Sequence, residues 1–212
     1  IENNYAERPV YISLGITPPG SNPHLISEWI RENGLNKEEA LPFDDSITSL
    51  ELYRQPNPLP LSLLKEMKEW HDKNDYMHEW VTLPSHELKE KQERLMKNLT
   101  YSPIGIGIQA WNERNGLYYQ DGNPNHWTCL VGFVKGEYWI VFDSYEPYIK
   151  KLEWNTDISF AKRYFIQKKA LVAKWVNPKR QESFSCLKIM KQQKYSETLT
   201  TLICLLVKQE KY

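Results

Sequence analysis

The hydrophobic pattern of the chain changes its period near residue 100, and this change restricts the fold more than any other feature. Before it, apolar residues recur every three or four positions, which is the spacing of an amphipathic helix. After it, the stretch SPIGIGIQAW, residues 102–111, alternates isoleucine with glycine or glutamine, as a half-buried strand does. The glycines indicate that another group packs closely on their face. The two halves predict an α+β fold, with a helical N-terminal half followed by an antiparallel β-sheet or half-barrel.

Three helices are predicted in the first half. The first, PHLISEWIRENG, follows the loop TPPGSN, with Ser21 or Asn22 as its N-cap and Gly34 as its end. The second is LSLLKEMKEW, and the third is SHELKEKQERLMKNL, which opens at Ser85. The inward faces are expected to hold Leu25, Ile26, Trp29 and Ile30; Leu61, Leu64, Met67 and Trp70; and Leu88, Leu95 and Leu99.

The second half predicts strands. A polar loop with Asn-Gly at 115 and Asp-Gly at 121 precedes NHWTCLVGFVKGEYWIVFDSY, residues 125–145, which predicts a hairpin. YIKKLEW and FAKRYFI predict two further short strands. If residues 135–136 form a two-residue turn, Val134 pairs with Glu137, and counting outward places His126 opposite Tyr145.

This register places a histidine beside an aspartate. Asp143 lies one diagonal step from His126 on the same strand face, where its carboxylate could accept the imidazole N–H and orient the ring. The same parity places Cys129 on the opposite face. A three-residue turn with a bulge would change this count. On the hairpin alone, the favoured interpretation is that His126 merely ends a strand and Asp143 merely starts a turn.

Four stretches, taken in series, resemble the papain-like cysteine peptidases, in particular the short prokaryotic and phage members. They are SNPHLISEWIRENGLNKEEALPF, LKEKQERLMKNLTYSPIGIGIQAW, NHWTCLVGF and EYWIVFDSYEPYI. The third resembles the strand of the family's catalytic histidine, and the fourth resembles the strand that ends in its Asn-Ser-Trp segment. The resemblance implies a papain-like fold over residues 1–169, with a basic extension of no assigned role over 170–212.

The resemblance also implies roles for individual residues. His126 would be the general base and the imidazolium partner of a thiolate. Asp143 stands where the family has asparagine and would orient the ring, while Tyr145 replaces the tryptophan that shields that hydrogen bond. A substrate cleft for a protein or peptide is implied at Gly20, Ser21 and Trp127.

The nucleophile is the main departure from the family. Its cysteine and its oxyanion glutamine precede the first helix region, yet the chain has neither residue type before Pro23. We expect them upstream of Ile1, so that this chain alone is inactive. Two alternatives stay open: a catalytically inactive papain-fold protein with a binding or virion-associated structural role, and another Cys-His-Asp hydrolase of the leader-peptidase or transglutaminase-like kind.

Composition limits the partners, the location and the cofactors that can be expected. The formal net charge is zero, which gives no reason to expect nucleic acid as a partner, and no apolar run reaches membrane-spanning length. Three widely spaced cysteines form no zinc or disulfide pattern, and no signal peptide is predicted in the chain, so a cytoplasmic or virion-associated location is favoured. No cofactor or metal is expected: HDKNDYMH, with His71 and His78, is interpreted as a solvated helix end. The oligomeric state is left open.

Overall fold

The computed structural model describes residues 4–17, 20–44 and 46–169. Its helices are α1 (Arg8–Leu14), α2 (Pro23–Asn33), a 3-10 turn (Glu38–Ala40), α3 (Leu50–Tyr53), α4 (Leu61–Lys73) and α5 (Leu88–Leu99). Its strands are β1 (Asn74–Thr82), β2 (Ile104–Ile108), β3 (Asn112–Arg114), β4 (Leu117–Tyr119), β5 (His126–Val134), β6 (Tyr138–Phe142), β7 (Ile149–Glu153) and β8 (Phe160–Lys168). The predicted extension over 170–212 lies outside the described residues.

All eight strands form one sheet in the order β1-β8-β2-β5-β6-β7-β4-β3. Neighbouring strands are antiparallel except for β4 and β7, which run parallel. Helices precede most of the sheet, so the predicted α+β arrangement of a helical N-terminal part and a largely antiparallel sheet is confirmed. Within the described ranges, no helix is both long and apolar enough to cross a membrane.

Each face of the sheet carries its own apolar core. On one face, side chains of β1, β5 and β8, among them Tyr76, Cys129 and Tyr164, join the core that contains α1 and α2. On the other face, α5 contributes Leu95 to a core with the isoleucines of β2 and with Trp139. The sheet therefore lies between two cores. In β2 the isoleucines face the core of α5, and the glycines face the core of α1 and α2.

The glycines of β2 make room for the indole of Trp127. A Cβ atom added to Gly105 would lie 2.8 Å from Nε1 of Trp127, and one added to Gly107 would lie 3.2 Å from the same ring. The three isoleucines between and beside these glycines are fully buried on the opposite face. The prediction of a close neighbour on the glycine face is confirmed.

Strand β1 is absent from the sequence prediction, which assigned only helices to the first half. Asn74 ends α4 in an extended conformation, and the chain continues directly into the strand. β1 pairs along its whole length with β8, starting with Asn74 opposite Lys168. Its conformation depends on this distant partner, and its own sequence lacks a clean alternation.

The predicted helix ends are mostly right, whereas several leucines that were predicted to face inward are exposed. Asn22 accepts the N–H of His24 at 2.8 Å, and Gly34 ends α2 with a positive φ of 90°. The predicted inward residues that are exposed instead are Leu25, Leu61, Leu64 and Leu88. In α4 the buried positions are Leu63 and Met67, because the helix packs on the small core around Ile12 and Leu59. α5 begins at Leu88, after Glu87, and not at Ser85.

Replacing Gly105 with alanine should destabilise the protein. The new Cβ would overlap the buried edge of Trp127, and overpacking of this kind costs about 1–3 kcal/mol. Gly132→Ala is the matched control, because its Cβ would lie at an ordinary 3.5 Å from Ile140. Urea unfolding of both variants measures the difference, and equal stability of the two would contradict the packing described here.

Candidate active site

The β5–β6 hairpin closes through three residues, not the two that were predicted. Val134 pairs with Tyr138, and the N–H of Glu137 donates to the carbonyl oxygen of Val134 at 2.9 Å. Gly136 has a φ of 83°, a conformation that glycine adopts without strain. The extra turn residue shifts the pairing of the strands by one position.

A bulge in β5 removes that shift. Leu130 pairs with Val141 and Gly132 with Ile140, so Val131 is the extra residue. Beyond the bulge, Cys129 pairs with Phe142, which is the register that the two-residue turn predicted. The prediction of the turn was wrong, but its consequence for the open end of the hairpin holds.

His126 and Asp143 meet at that open end. Nε2 of His126 lies 2.7 Å from Oδ1 of Asp143, which confirms the predicted contact. The two side chains are 1% and 0% exposed. Because a carboxylate can only accept, the shared proton belongs to Nε2, and Nδ1 carries the lone pair of the neutral ring.

Three further groups hold the Asp143 carboxylate in place. The N–H of Ser144 donates to Oδ1 at 2.8 Å, and Nζ of Lys150 forms an ion pair with Oδ2 at 3.1 Å. The hydroxyl of Thr128 lies 3.4 Å from Oδ1 and donates to the carbonyl oxygen of Phe142 at 2.8 Å. Oδ1 therefore accepts hydrogen bonds, whereas Oδ2, which has no hydrogen-bond partner in the described part of the chain, faces the positive charge of Lys150.

The carboxylate is ionised at neutral pH. Burial by itself raises the pKa of Asp143, but the hydrogen bond and charge of His126, together with Lys150, outweigh burial and hold that pKa below its usual range. A negative oxygen thus receives the imidazole N–H, which fixes the tautomer of the ring.

Two aromatic rings enclose the imidazole of His126. The ring centroid of Tyr145 is 5.3 Å from that of His126, tilted by 38°. Trp111 meets it edge-on at 5.8 Å and packs in the same way against Tyr118 at 5.4 Å. Tyr145 lies where it can exclude water from the hydrogen bond, and that role remains a prediction.

The polar loop before β5 contains a hairpin that the sequence analysis left out. β3 and β4 are joined by Asn115 and Gly116, both with positive φ, at 55° and 79°. An Asn-Gly pair strongly favours such a turn, so the sequence carried a signal for the hairpin. The hairpin supplies Tyr118, whose partner Trp111 borders His126.

Cys129 lies away from the pair, as strand parity predicted. It is buried in the core on the face of the sheet that packs against α1 and α2, whereas its neighbour Leu130 belongs to the core on the other face. Cys186 and Cys204 lie outside the described residues.

The predicted cleft residues are placed as follows. Trp127 is on the opposite strand face from His126, with its indole over the glycines of β2. Gly20 and Ser21 form the approach to α2, where the N–H of Gly20 donates to the carbonyl oxygen of Thr17 at 2.9 Å. A cleft role for these three residues stays a prediction.

A second cluster of titratable groups joins α2 to the sheet. Nζ of Lys162 lies 3.0 Å from Nδ1 of His24 and 2.6 Å from Nδ1 of His78, while Nε2 of His78 lies 2.9 Å from Glu28. The prediction that His78 lies on a solvated helix end is wrong, because it lies on β1 with its side chain 6% exposed. His71, by contrast, is in the last turn of α4.

Lys162 decides what this cluster can bind. Ligand atoms of His24, Glu28 and His78 come within 4.8 Å of one another, a spacing that suits a metal ion. Burial lowers the pKa of Lys162 to about 8, so it is mainly an ammonium at neutral pH, and an ammonium only donates. Its contacts with both Nδ1 atoms place a protein cation where these lone pairs would hold a metal.

Comparison with known proteins gives structural matches only. No protein-family model matches the chain, and no curated protein matches its sequence. One similar structure is the Amb a 11 cysteine protease, a major ragweed pollen allergen, in its proform. It is 14% identical with a TM-score of 0.44, and the match covers 76% of this chain and 51% of that one. This chain thus spans about half the length of that protein.

A second similar structure is the bromelain protease from Ananas comosus in complex with the E64 inhibitor. It is 15% identical with a TM-score of 0.43, and the match covers 78% of each chain. Both proteins are named as proteases, and the identities are too low to transfer residue roles. The site's own residues therefore carry the functional proposal.

We predict that the protein loses stability in mild acid because His78 is buried in its neutral form. Burial and the charge of Lys162 lower the pKa of His78 to about 4, whereas an unfolded histidine titrates near 6.5. Between these values the unfolded chain binds the proton first, so stability that is present above pH 6.5 is lost as the pH falls towards 4.

The loss attributable to His78 should be on the order of 2–3 kcal/mol. Urea unfolding at pH 7 and pH 4.5 measures it, and His78→Gln should reduce the difference between the two pH values. His71→Gln, on the neighbouring helix, is the control and should leave the difference unchanged. An equal pH dependence in wild type and His78→Gln would contradict the assignment.

Proposed function

We propose that this chain forms part of a papain-like thiol peptidase in which His126 is the catalytic base and Asp143 orients it. The observation that carries the proposal is the 2.7 Å contact between Nε2 of His126 and an ionised, buried carboxylate. With Nε2 donating to Asp143, the proposal assigns proton transfer to the other ring nitrogen, Nδ1. Tyr145, against the same ring, excludes water from the contact.

The reaction follows from that tautomer. Nδ1 accepts the proton of a cysteine thiol, and the thiolate attacks the carbonyl carbon of a peptide bond. The imidazolium then returns its proton to the leaving amine as the C–N bond breaks, which leaves a thioester on the enzyme. A water molecule, deprotonated by the same imidazole, hydrolyses the thioester and restores the thiol.

The nucleophile in this proposal is a cysteine from residues that precede Ile1. Cys129 is not suited to the role, because it is buried in the core on the face of the sheet opposite to His126. The substrate is a protein or peptide chain, with Gly20 and Ser21 at its cleft. The resemblance of the four sequence stretches favours a short prokaryotic or phage member of the family.

The burial of His126 favours a second candidate function. An imidazole that is 1% exposed, tied to Asp143 and through it to Lys150, also serves as a purely structural link at the end of the sheet. In that case the chain is a catalytically inactive papain-fold protein that binds a partner or has a structural role in a virion.

Activity of the natural protein, including any residues encoded before Ile1, separates the two functions. We expect thiol-dependent hydrolysis of a fluorescent casein, and His126→Ala should lower kcat/KM by at least about 100-fold, since the base is lost. His71→Ala, at a half-exposed helix end, should stay close to wild type. Equal activity in His126→Ala would overturn the peptidase proposal, and a folded but inactive natural protein would support the second function.

Thiol labelling of the chain itself tests the position of the nucleophile. We expect iodoacetamide to modify none of Cys129, Cys186 and Cys204 faster than a model thiol, because none is placed beside the imidazole in the proposal. Mass spectrometry of a labelling time course measures the three rates. Fast labelling of Cys129 would make it the nucleophile instead.

A further inference from the structure

Lys150 is a buried cation on β7, and it contacts the carboxylate that binds His126. We infer that Lys150 is a positioning residue that neutralises Asp143 and so sets the proton affinity of His126. Its catalytic meaning rests on the proposed function, whereas its effect on the imidazole can be measured without any peptidase activity. No motif in the sequence indicates a role for Lys150.

The ammonium of Lys150 contacts three oxygen atoms. Nζ lies 3.1 Å from Oδ2 of Asp143 and donates to the carbonyl oxygens of Tyr145 at 2.5 Å and of Pro147 at 2.7 Å. Two of the three ammonium hydrogens therefore donate to carbonyl oxygens, and the contact with Oδ2 is an ion pair without hydrogen-bond geometry. The side chain is 1% exposed, so water does not compete for these contacts.

Aromatic rings complete the surroundings of the ammonium. Nζ lies 5.0 Å from the ring centroid of Trp111 and 5.7 Å from that of Tyr118, distances at which a ring face attracts a cation. Trp111 also borders His126. The same indole therefore lies beside both the imidazole and the ammonium.

Charge balance explains why the ammonium matters. Oδ1 of Asp143 contacts His126 and Oδ2 contacts Lys150, and a buried charge that loses its partner is strongly destabilising. Without Lys150, protonated His126 would be the cation left to neutralise Asp143, so the ring would hold its proton too tightly. A base that must accept and release a proton needs an affinity near the working pH.

This balance also accounts for the departure from the family pattern at residue 143. A neutral asparagine needs no counter-charge, whereas an aspartate at that position brings a full negative charge against the imidazole. Lys150 supplies the compensating charge from the next strand. The two residues thus act together as a neutral orienting group.

The groups that influence the titration of His126 come from several elements. In the described part of the chain, Asp143 faces the imidazole from the end of β6, and Tyr145 faces it from the following loop. Lys150 on β7 acts through Asp143, and Tyr118 on β4 lies beside Lys150. Of these, Asp143 and Lys150 are the charged pair that the experiment removes.

A double-mutant cycle, with NMR titration of the His126 ring as its readout, tests the inference. Lys150→Met should raise the titration midpoint of His126 by about one pH unit or more, and Asp143→Asn alone should lower it, since each leaves one buried charge beside the ring. The double variant should return close to wild type. Lys151→Met, an exposed neighbour on β7, is the matched control and should not shift the midpoint.

The outcomes separate charge balance from a merely structural role. If Lys150 only fastens the turn, its loss lowers stability and leaves the midpoint of His126 in place, which would overturn the inference. If Lys150→Met does not fold, the double variant decides: folding with a wild-type midpoint supports charge balance, and instability equal to that of the single variant contradicts it. If the natural protein is inactive but the variants shift the His126 midpoint as predicted, the peptidase proposal is rejected and the inference about Lys150 stands.

Discussion

The hydrogen bond between His126 and Asp143 depends on a carboxylate that is completely removed from water. Such a charge is stable only with compensating partners, and His126 and Lys150 supply them from β5 and β7, on either side of β6, which ends one residue before Asp143. The register of three neighbouring strands is therefore tied to one side chain. A shift of one residue would turn a side chain to the opposite face and leave a buried charge unpaired.

The pairing of β5 with β6 differs near the turn from the pairing obtained by counting residues outward from a two-residue turn. The three-residue turn moves the strands by one position, and the bulge at Val131 moves them back. Lys-Gly in the sequence indicates a turn but does not determine its length. Gly132, beside the bulge, is the one local feature compatible with it, but an isolated glycine in a strand also occurs where a ligand or another backbone approaches closely. The contact of His126 and Asp143 could be predicted because two local deviations cancel.

Other parts of the fold depend on contacts that the local sequence does not contain. β1 is held by β8, far along the chain, and one of its side chains, His78, belongs to a polar cluster that breaks the expected alternation. In α4 the prediction of Met67 as an inward residue was right, but Leu61 and Leu64 were chosen in place of the equally apolar Leu63, which is the buried leucine. Lys150 was missed because a lysine on a short strand is usually exposed. Its position in phase with buried Leu152 was the available signal.

The tautomer of His126 gives the most direct test of the proposed site. Long-range ¹H–¹⁵N correlation spectra of the folded protein at neutral pH distinguish a protonated Nε2 from a protonated Nδ1. We predict that Nε2 carries the proton and that Nδ1 shows the shift of an unprotonated nitrogen, because Asp143 can only accept. A neutral ring protonated at Nδ1 would contradict the proposed site, since the imidazole would then present no base at the position where the proposed chemistry needs one.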